Sequence, residues 1–223
     1  MSKFFACLVS ICLFWGMLLT TSCKQEPSPN PTTITPKSPK KQIPYMEGDI
    51  LFQISTSGQG KAIQLATNSP YSHCGILFRE NNEWMVFEGV QPVKKTPLTE
   101  WIKRGQHNIV VSKRLKHAEH LLTASVKNRM KMEASKFIGK NYDLTFEWDD
   151  ERIYCSELVY KIYQRGAGIE VGKLQKLSEF DLTYPIVKAK LVERYGKKIP
   201  LDEPVISPGA IFADTSLVEV FIQ

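Results

Sequence analysis

Two β-rich runs, Tyr71–Phe78 and Trp84–Val90, flank the short polar stretch Arg79-Glu-Asn-Asn-Glu83. That arrangement commits the middle of the chain to a β-hairpin. A hairpin dictates which side chains share a face, because successive residues of a strand alternate across the sheet. The turn sets the register. Centred on Glu80-Asn81, it places His73 directly opposite Glu88; centred on Asn81-Asn82, it places Glu88 diagonal to His73 on the same face. Facing Cβ atoms lie roughly 5 Å apart and diagonal ones about 7–8 Å, so a glutamate reaches an imidazole in both registers. A three-residue loop would separate them. Glu88 interrupts the apolar run Met85-Val-Phe-Glu88-Gly-Val, so it either faces solvent or has a specific partner.

A second residue with chemical capacity lies farther along. Cys155 follows Arg152-Ile-Tyr and opens Ser-Glu-Leu-Val-Tyr-Lys-Ile-Tyr. The pattern predicts a helix over Ile153–Gln164, with Leu158, Val159 and Ile162 on the buried face. A thiol in the first turn of a helix feels the partial positive charge of unpaired N–H groups, which favours its thiolate. A histidine brought beside it would complete the activation of a nucleophile. Taken singly, His73 is equally read as a structural histidine and Cys155 as a buried apolar thiol; together they point to a thiol hydrolase.

The remaining pattern is mixed. Gly48–Ser55 reads as a turn into a short strand, Gly60–Thr67 as a helix, and Asn108–Lys113 and Leu217–Ile222 as strands. Thr96 is the expected cap of a helix with Pro97 in its first turn. His117–Phe137 reads as one helix ending at Gly139, and Ser207-Pro-Gly-Ala-Ile-Phe as a proline-punctuated loop. Partly segregated strands and helices indicate an α+β fold.

The N-terminus has a different character. Lys3 precedes an apolar run, Phe4–Leu19, which is short for a membrane span and suits a signal peptide. Thr20-Thr-Ser-Cys23 resembles a lipoprotein processing site, with Thr20 where leucine is usual. Residues 1–22 are expected to be a lipoprotein signal peptide and Cys23 a lipidation site. Residues 23–43, rich in Pro, Thr and Lys, form an extended tether, and residues 44–223 one globular domain. This places the protein at the bacterial cell envelope, anchored to a membrane by lipid. The formal charge of +6 comes from scattered Lys and Arg without interleaved aromatics, which argues against a nucleic-acid surface.

Of the five cysteines, Cys7 and Cys12 fall in the signal peptide, leaving Cys74 and Cys155 in the domain. An oxidising compartment invites a disulfide between them. Strand alternation argues otherwise: if His73 faces Cys155, its neighbour Cys74 points away and is a small buried hydrophobe. His107, His117, His120, Asp149 and Asp150 are the candidate metal ligands, but His117 and His120 suit a solvated helix face and no cysteine pair has zinc spacing. No metal and no cofactor are expected.

Several segments in order carry a resemblance: Gly48-Asp-Ile-Leu-Phe, Ala62-Ile-Gln-Leu-Ala-Thr-Asn-Ser-Pro-Tyr-Ser-His73-Cys-Gly-Ile, Phe87-Glu88-Gly-Val, Gly139-Lys-Asn-Tyr142-Asp-Leu-Thr-Phe and Tyr154-Cys155-Ser-Glu-Leu. Over most of residues 45–213 the chain resembles the YaeF/YiiX family of circularly permuted, papain-like enzymes of the NlpC-type superfamily. The resemblance implies an antiparallel sheet or partial barrel packed on a central helix with the nucleophile at its N-terminus. It further implies Cys155 as nucleophile, His73 as general base and acid, and Glu88 as the residue orienting His73. Tyr142 is similar in position to a tyrosine ahead of the nucleophile that helps bind oxyanion or substrate; packing is the alternative. The expected activity is amide hydrolysis on a peptide or muropeptide of the envelope. A lipid ester hydrolase or acyltransferase of the same fold and a non-catalytic peptide-binding module are the alternatives.

Overall fold

The computed structural model describes residues 44–222; the expected signal peptide, the lipidation site at Cys23 and the whole tether lie outside the described residues. In chain order the elements are β1 (Ile50–Gln53), α1 (Gly58–Thr67), β2 (His73–Glu80), β3 (Glu83–Glu88), β4 (Lys94–Pro97), α2 (Leu98–Arg104), β5 (Val111–Leu115), α3 (Ala118–Leu121) and α4 (Ala124–Ser135). There follow β6 (Asn141–Tyr142), β7 (Arg152–Ile153), α5 (Cys155–Ile162), β8 (Gln175–Lys176), α6 (Pro185–Tyr195), β9 (Pro204–Val205), α7 (Pro208–Ala213) and β10 (Leu217–Ile222). Six strands form one sheet in the order β10-β5-β1-β2-β3-β4, and every pairing within it is antiparallel.

The β2–β3 hairpin closes on the Asn81-Asn82 turn, since Glu80 pairs with Glu83 and Ile76 with Phe87. Both turn residues have positive φ, 49° and 67°. A tight turn that matches strand twist requires this at both central positions, and asparagine tolerates it. His73 and Glu88 are therefore diagonal on one face.

Alternation gives the sheet two faces. Ile50, Phe52, Cys74, Ile76, Phe78 and Phe87 join the larger core with α5, while Leu51, Leu77 and Val86 pack with Leu98 and Trp101 of α2. All eight residues of α5 are buried, as befits a helix enclosed on every side. Burying Leu158, Val159 and Ile162 contributes roughly 1.5–3 kcal/mol each. At the start of α5, the Glu157 side chain accepts the Tyr154 N–H at 3.4 Å. At its far end the helix runs into a π-helical turn over Tyr163–Ala167.

Local readings differ from the structure in four places. Thr96 lies at the end of β4 and caps no helix; Pro97 occupies the cap position. The expected single helix over His117–Phe137 breaks between Leu121 and Ala124, where the Thr123 hydroxyl accepts from Val126 N and starts α4. Ser207-Pro-Gly-Ala-Ile-Phe is the start of α7, with Ser207 as its cap and Pro208 in its first turn. Helix α6 had no counterpart in the sequence reading.

The backbone after β3 comes very close to α5. A Cβ added to Gly89 would sit 2.7 Å from Cys155 N and 2.8 Å from Cys155 Cα. Because backbone cannot swing aside, Gly89→Ala should destabilise the fold by about 1–3 kcal/mol in urea denaturation. At Gly58 an added Cβ meets nothing within 4 Å, so Gly58→Ala should leave the midpoint nearly unchanged.

Candidate active site

The start of β2, the end of β3 and the first turn of α5 converge at one end of the sheet. Glu88 is fully buried there. Its Oε2 accepts from His73 Nε2 at 2.7 Å and from Trp101 Nε1 at 3.0 Å. Its Oε1 accepts from the Thr96 hydroxyl at 2.5 Å and from the Arg104 guanidinium. Of the two readings of Glu88, the specific partner holds. Burial alone would raise the Glu88 carboxyl, but the bonds from His73 and Thr96 and the Arg104 charge outweigh it and keep the group ionised.

A carboxylate can only accept, so His73 Nε2 carries a hydrogen and Nδ1 is left for Cys155. The His73 ring stacks on Trp101 with centroids 6.0 Å apart. Burial would lower the imidazole, yet its hydrogen bonds to Cys155 and Glu88 raise it from the ordinary 6.5 to about 9.

Cys155, the first residue of α5, is 2 % exposed. The Cys74 thiol, hydrogen-bonded to its sulfur, is the largest cause stabilising the thiolate; burial opposes, and His73 adds to the stabilisation. The net result holds Cys155 well below the ordinary thiol value. Strand alternation would keep Cys74 away from Cys155, yet Cys74 and His73 both act on its thiol. His73 is the first residue of β2: it pairs with Gln53 of β1, but the pairing of β2 with β3 begins only at Ile76. Cys74 is fully buried, as expected, and both cysteines are free thiols.

Tyr142 is brought in by backbone pairing. Strand β6 runs parallel to β7, with Tyr142 beside Ile153, two residues before Cys155. Gln91 fastens the other side: its Oε1 accepts from Tyr142 N at 2.7 Å and its Nε2 donates to Asn141 at 2.6 Å. The Tyr142 hydroxyl accepts from Gln59 Nε2 at 3.1 Å. Burial, and then the negative charge of Cys155, push the phenol well above its ordinary value, so it keeps its proton.

Two cavities meet at this point. One is lined by Cys155 and by apolar side chains such as Ile63, Phe146, Phe180, Leu182 and Leu191. The other, an open cleft, is lined by His73 and by polar residues including Ser55, Ser57, Ser72 and Arg104. Gln59, Ile63 and Tyr142 border both.

The structure thus brings together four of the residues singled out in the sequence: His73, Glu88, Tyr142 and Cys155. Thr96, Trp101 and Arg104 around Glu88, and Cys74 and Gln59 around Cys155, were missed. The spacing of Trp101 and Arg104, three apart on a helix, was the available signal. Among the described residues, no group of three or more His, Cys, Asp or Glu is arranged to hold a metal, and no helix is long and apolar enough to cross a membrane.

An antiparallel sheet in a mixed α/β fold, with a histidine on an early strand and a cysteine on a late helix, is the arrangement of a permuted papain-like hydrolase. Residues 44–221 match the permuted papain-like amidase family YaeF/YiiX, C92, and the chain belongs to that family of cysteine amidases and peptidases. It is 50 % identical over 173 residues to the uncharacterized protein YiiX of Escherichia coli strain K12, covering 78 % of this chain and 84 % of that protein. It is also similar to the crystal structure of the metalloprotein yiiX from Escherichia coli O157:H7, at 49 % identity and a TM-score of 0.76, covering 79 % of this chain and 97 % of that one.

The charge state of Cys155 is open to direct measurement. With Cys155 lowered and His73 raised, the thiolate–imidazolium pair persists across the neutral range. The iodoacetamide labelling rate of Cys155, followed on its tryptic peptide, should change less than about threefold between pH 6 and 8, whereas an ordinary thiol gains about tenfold per unit. A tenfold rise per unit would show an unactivated thiol.

Proposed function

We propose that the protein is a thiol amidase in which Cys155 is the nucleophile, His73 the general base and acid, and Glu88 the residue that orients His73. The observation that carries this reading is the continuous chain from the Cys155 sulfur through His73 to the fully buried Glu88 carboxylate. A purely structural histidine or a peptide-binding module has no need of a thiolate, nor of a carboxylate with four donors around it.

In this mechanism the Cys155 sulfur attacks the acyl carbon and forms an S–C bond. The negative oxygen that results is received by the Cys155 backbone N–H at the start of α5 and by the Tyr142 hydroxyl, whose proton is free because Gln59 donates to its oxygen. His73 then gives its Nδ1 proton to the leaving nitrogen as the C–N bond breaks. Water, deprotonated by the now neutral His73, attacks the thioester and releases the acid. Throughout, Glu88 holds Nε2–H and stabilises the imidazolium.

The two cavities give the substrate a direction. The acyl group, which stays on Cys155, faces the apolar cavity, and the leaving group, which takes a proton from His73, faces the open cleft that Ser55, Ser57, Ser72 and Arg104 help to line. This lining favours an apolar, lipid-like acyl group on the scissile amide over a muropeptide stem. Lipid anchoring through Cys23 and a tether over residues 23–43 would hold such a site at a membrane of the cell envelope.

A series of acyl amides with lengthening chains tests the proposal. Burying each methylene is worth about 0.8 kcal/mol, so kcat/KM should rise up to about fourfold per added carbon until the cavity is filled. Cys155→Ala and His73→Ala should each lose at least about 10³-fold in kcat, Tyr142→Phe about 10²-fold, and Glu88→Gln less than His73→Ala. Retained turnover in Cys155→Ala would end the proposal; a flat chain-length profile would remove the acyl assignment alone.

A further inference from the structure

Helix α6 carries two cations on the face that borders the apolar cavity. Val187, Lys190, Leu191 and Arg194 all line it, and positions i, i+3, i+4 and i+7 form one stripe of an α-helix. A helix that only closed an apolar cavity would be apolar along the whole of that stripe. Here Lys190 and Arg194 are the charged residues of the lining, and among the described residues no aspartate or glutamate lines it.

Arg194 is held in place by packing. Its guanidinium lies over the Phe146 ring, 4.8 Å from the centroid, and Phe146 meets Tyr154 edge-on with centroids 5.1 Å apart. Tyr154 directly precedes Cys155, so two ring contacts link the guanidinium to the residue before the nucleophile. The Tyr195 hydroxyl donates to Thr145 O, which ties the last turn of α6 to the segment bearing Phe146. Stacking uses the flat face of a guanidinium and leaves the N–H groups around its rim free to donate. Among the described residues, none of those groups on Arg194 meets a hydrogen-bond acceptor or a carboxylate. The helix dipole favours a cation in the last turn of α6, but it does not require one that borders an apolar cavity. Lys190, one turn earlier, sits 2.6 Å from the exposed Glu193 and keeps further N–H donors.

We propose that Arg194, assisted by Lys190, receives a carboxylate at the far end of the acyl group, so that the substrate class is an amide of an apolar acyl chain ending in a carboxylate. The inference rests on the reading that the acyl group occupies this cavity. The planar fork of Arg194 can donate to both carboxylate oxygens in parallel, and the Lys190 ammonium adds a second charge. Apolar surroundings strengthen such a contact, since little water is present to screen it. The chain between the scissile carbonyl and the carboxylate must also reach from Cys155 to Arg194, so the two cations select length as well as charge.

The test measures binding to the full chain carrying Cys155→Ala by isothermal titration calorimetry, which needs no turnover. The probes are monoamides of saturated dicarboxylic acids of graded length. Matching diamides, with a neutral carboxamide in place of the carboxylate, and matching methyl-ended amides serve as references. At the best length the carboxylate should bind at least about tenfold tighter than the carboxamide. Adding Arg194→Gln should cut that preference to less than about twofold while the methyl-ended chain binds as before, a sign that the cavity is intact. Adding Lys190→Gln should reduce the preference by a smaller factor, and Arg194→Lys should retain part of it. Equal affinity for carboxylate and carboxamide, or a preference unchanged in Arg194→Gln, would overturn the proposal. Binding of no chain at all would remove the acyl cavity and the carboxylate site together. Turnover retained by Cys155→Ala would undo the catalytic assignment and leave these affinities as they are, so the two failures are distinct.

Discussion

The buried carboxylate of Glu88 is the constraint around which this end of the molecule is organised. Removing such a group from water is strongly unfavourable unless its oxygens are fully bonded, and here donors come from β2, β4 and α2: His73, Thr96, Trp101 and Arg104. Each of those side chains is itself fixed by the bond it makes. His73 in particular cannot turn its Nε2 elsewhere without leaving a buried charge short of a donor, so its Nδ1 is aimed at Cys155 before any substrate arrives.

The other half of the site depends on a different kind of constraint, the close approach of backbone. Gly89 lets the end of β3 lie directly against Cys155 N and Cα. The parallel pairing of β6 with β7 sets Tyr142 beside the segment that leads into α5. Helix α5 is then held by the core on every side, so its first turn cannot drift from the hairpin. Electrostatics and packing thus meet at Cys155: the thiolate is favoured by its neighbours, and its position is set by the absence of a side chain at residue 89.

Much of this was legible in the sequence because it depends on local rules. The Asn81-Asn82 turn and the alternation of Met85–Val90 are enough to put His73 and Glu88 on one face, and an amphipathic run beginning at Cys155 is enough to start a helix there. What was hidden depends on contacts between distant segments. That Thr96 donates to Glu88 rather than capping α2 follows from the pairing of β4 with β3, which no short-range pattern announces. Alternation placed Cys74 away from Cys155, but alternation describes the middle of a strand. Residue 73 is where β2 begins, paired with β1 but not yet with β3. Helix α6 and the apolar cavity that it borders likewise arise from packing against α1, which periodicity does not reveal.

The chemistry of the site turns on the charge of one imidazole. The 15N chemical shifts of the His73 ring at about pH 7.5, where a free histidine is mostly neutral, measure it without a substrate. Both nitrogens should show the values of an imidazolium in the wild-type protein, and the signal should revert toward the neutral form in Cys155→Ala, where the negative partner is gone. A neutral His73 ring in the wild-type protein at that pH would contradict the account.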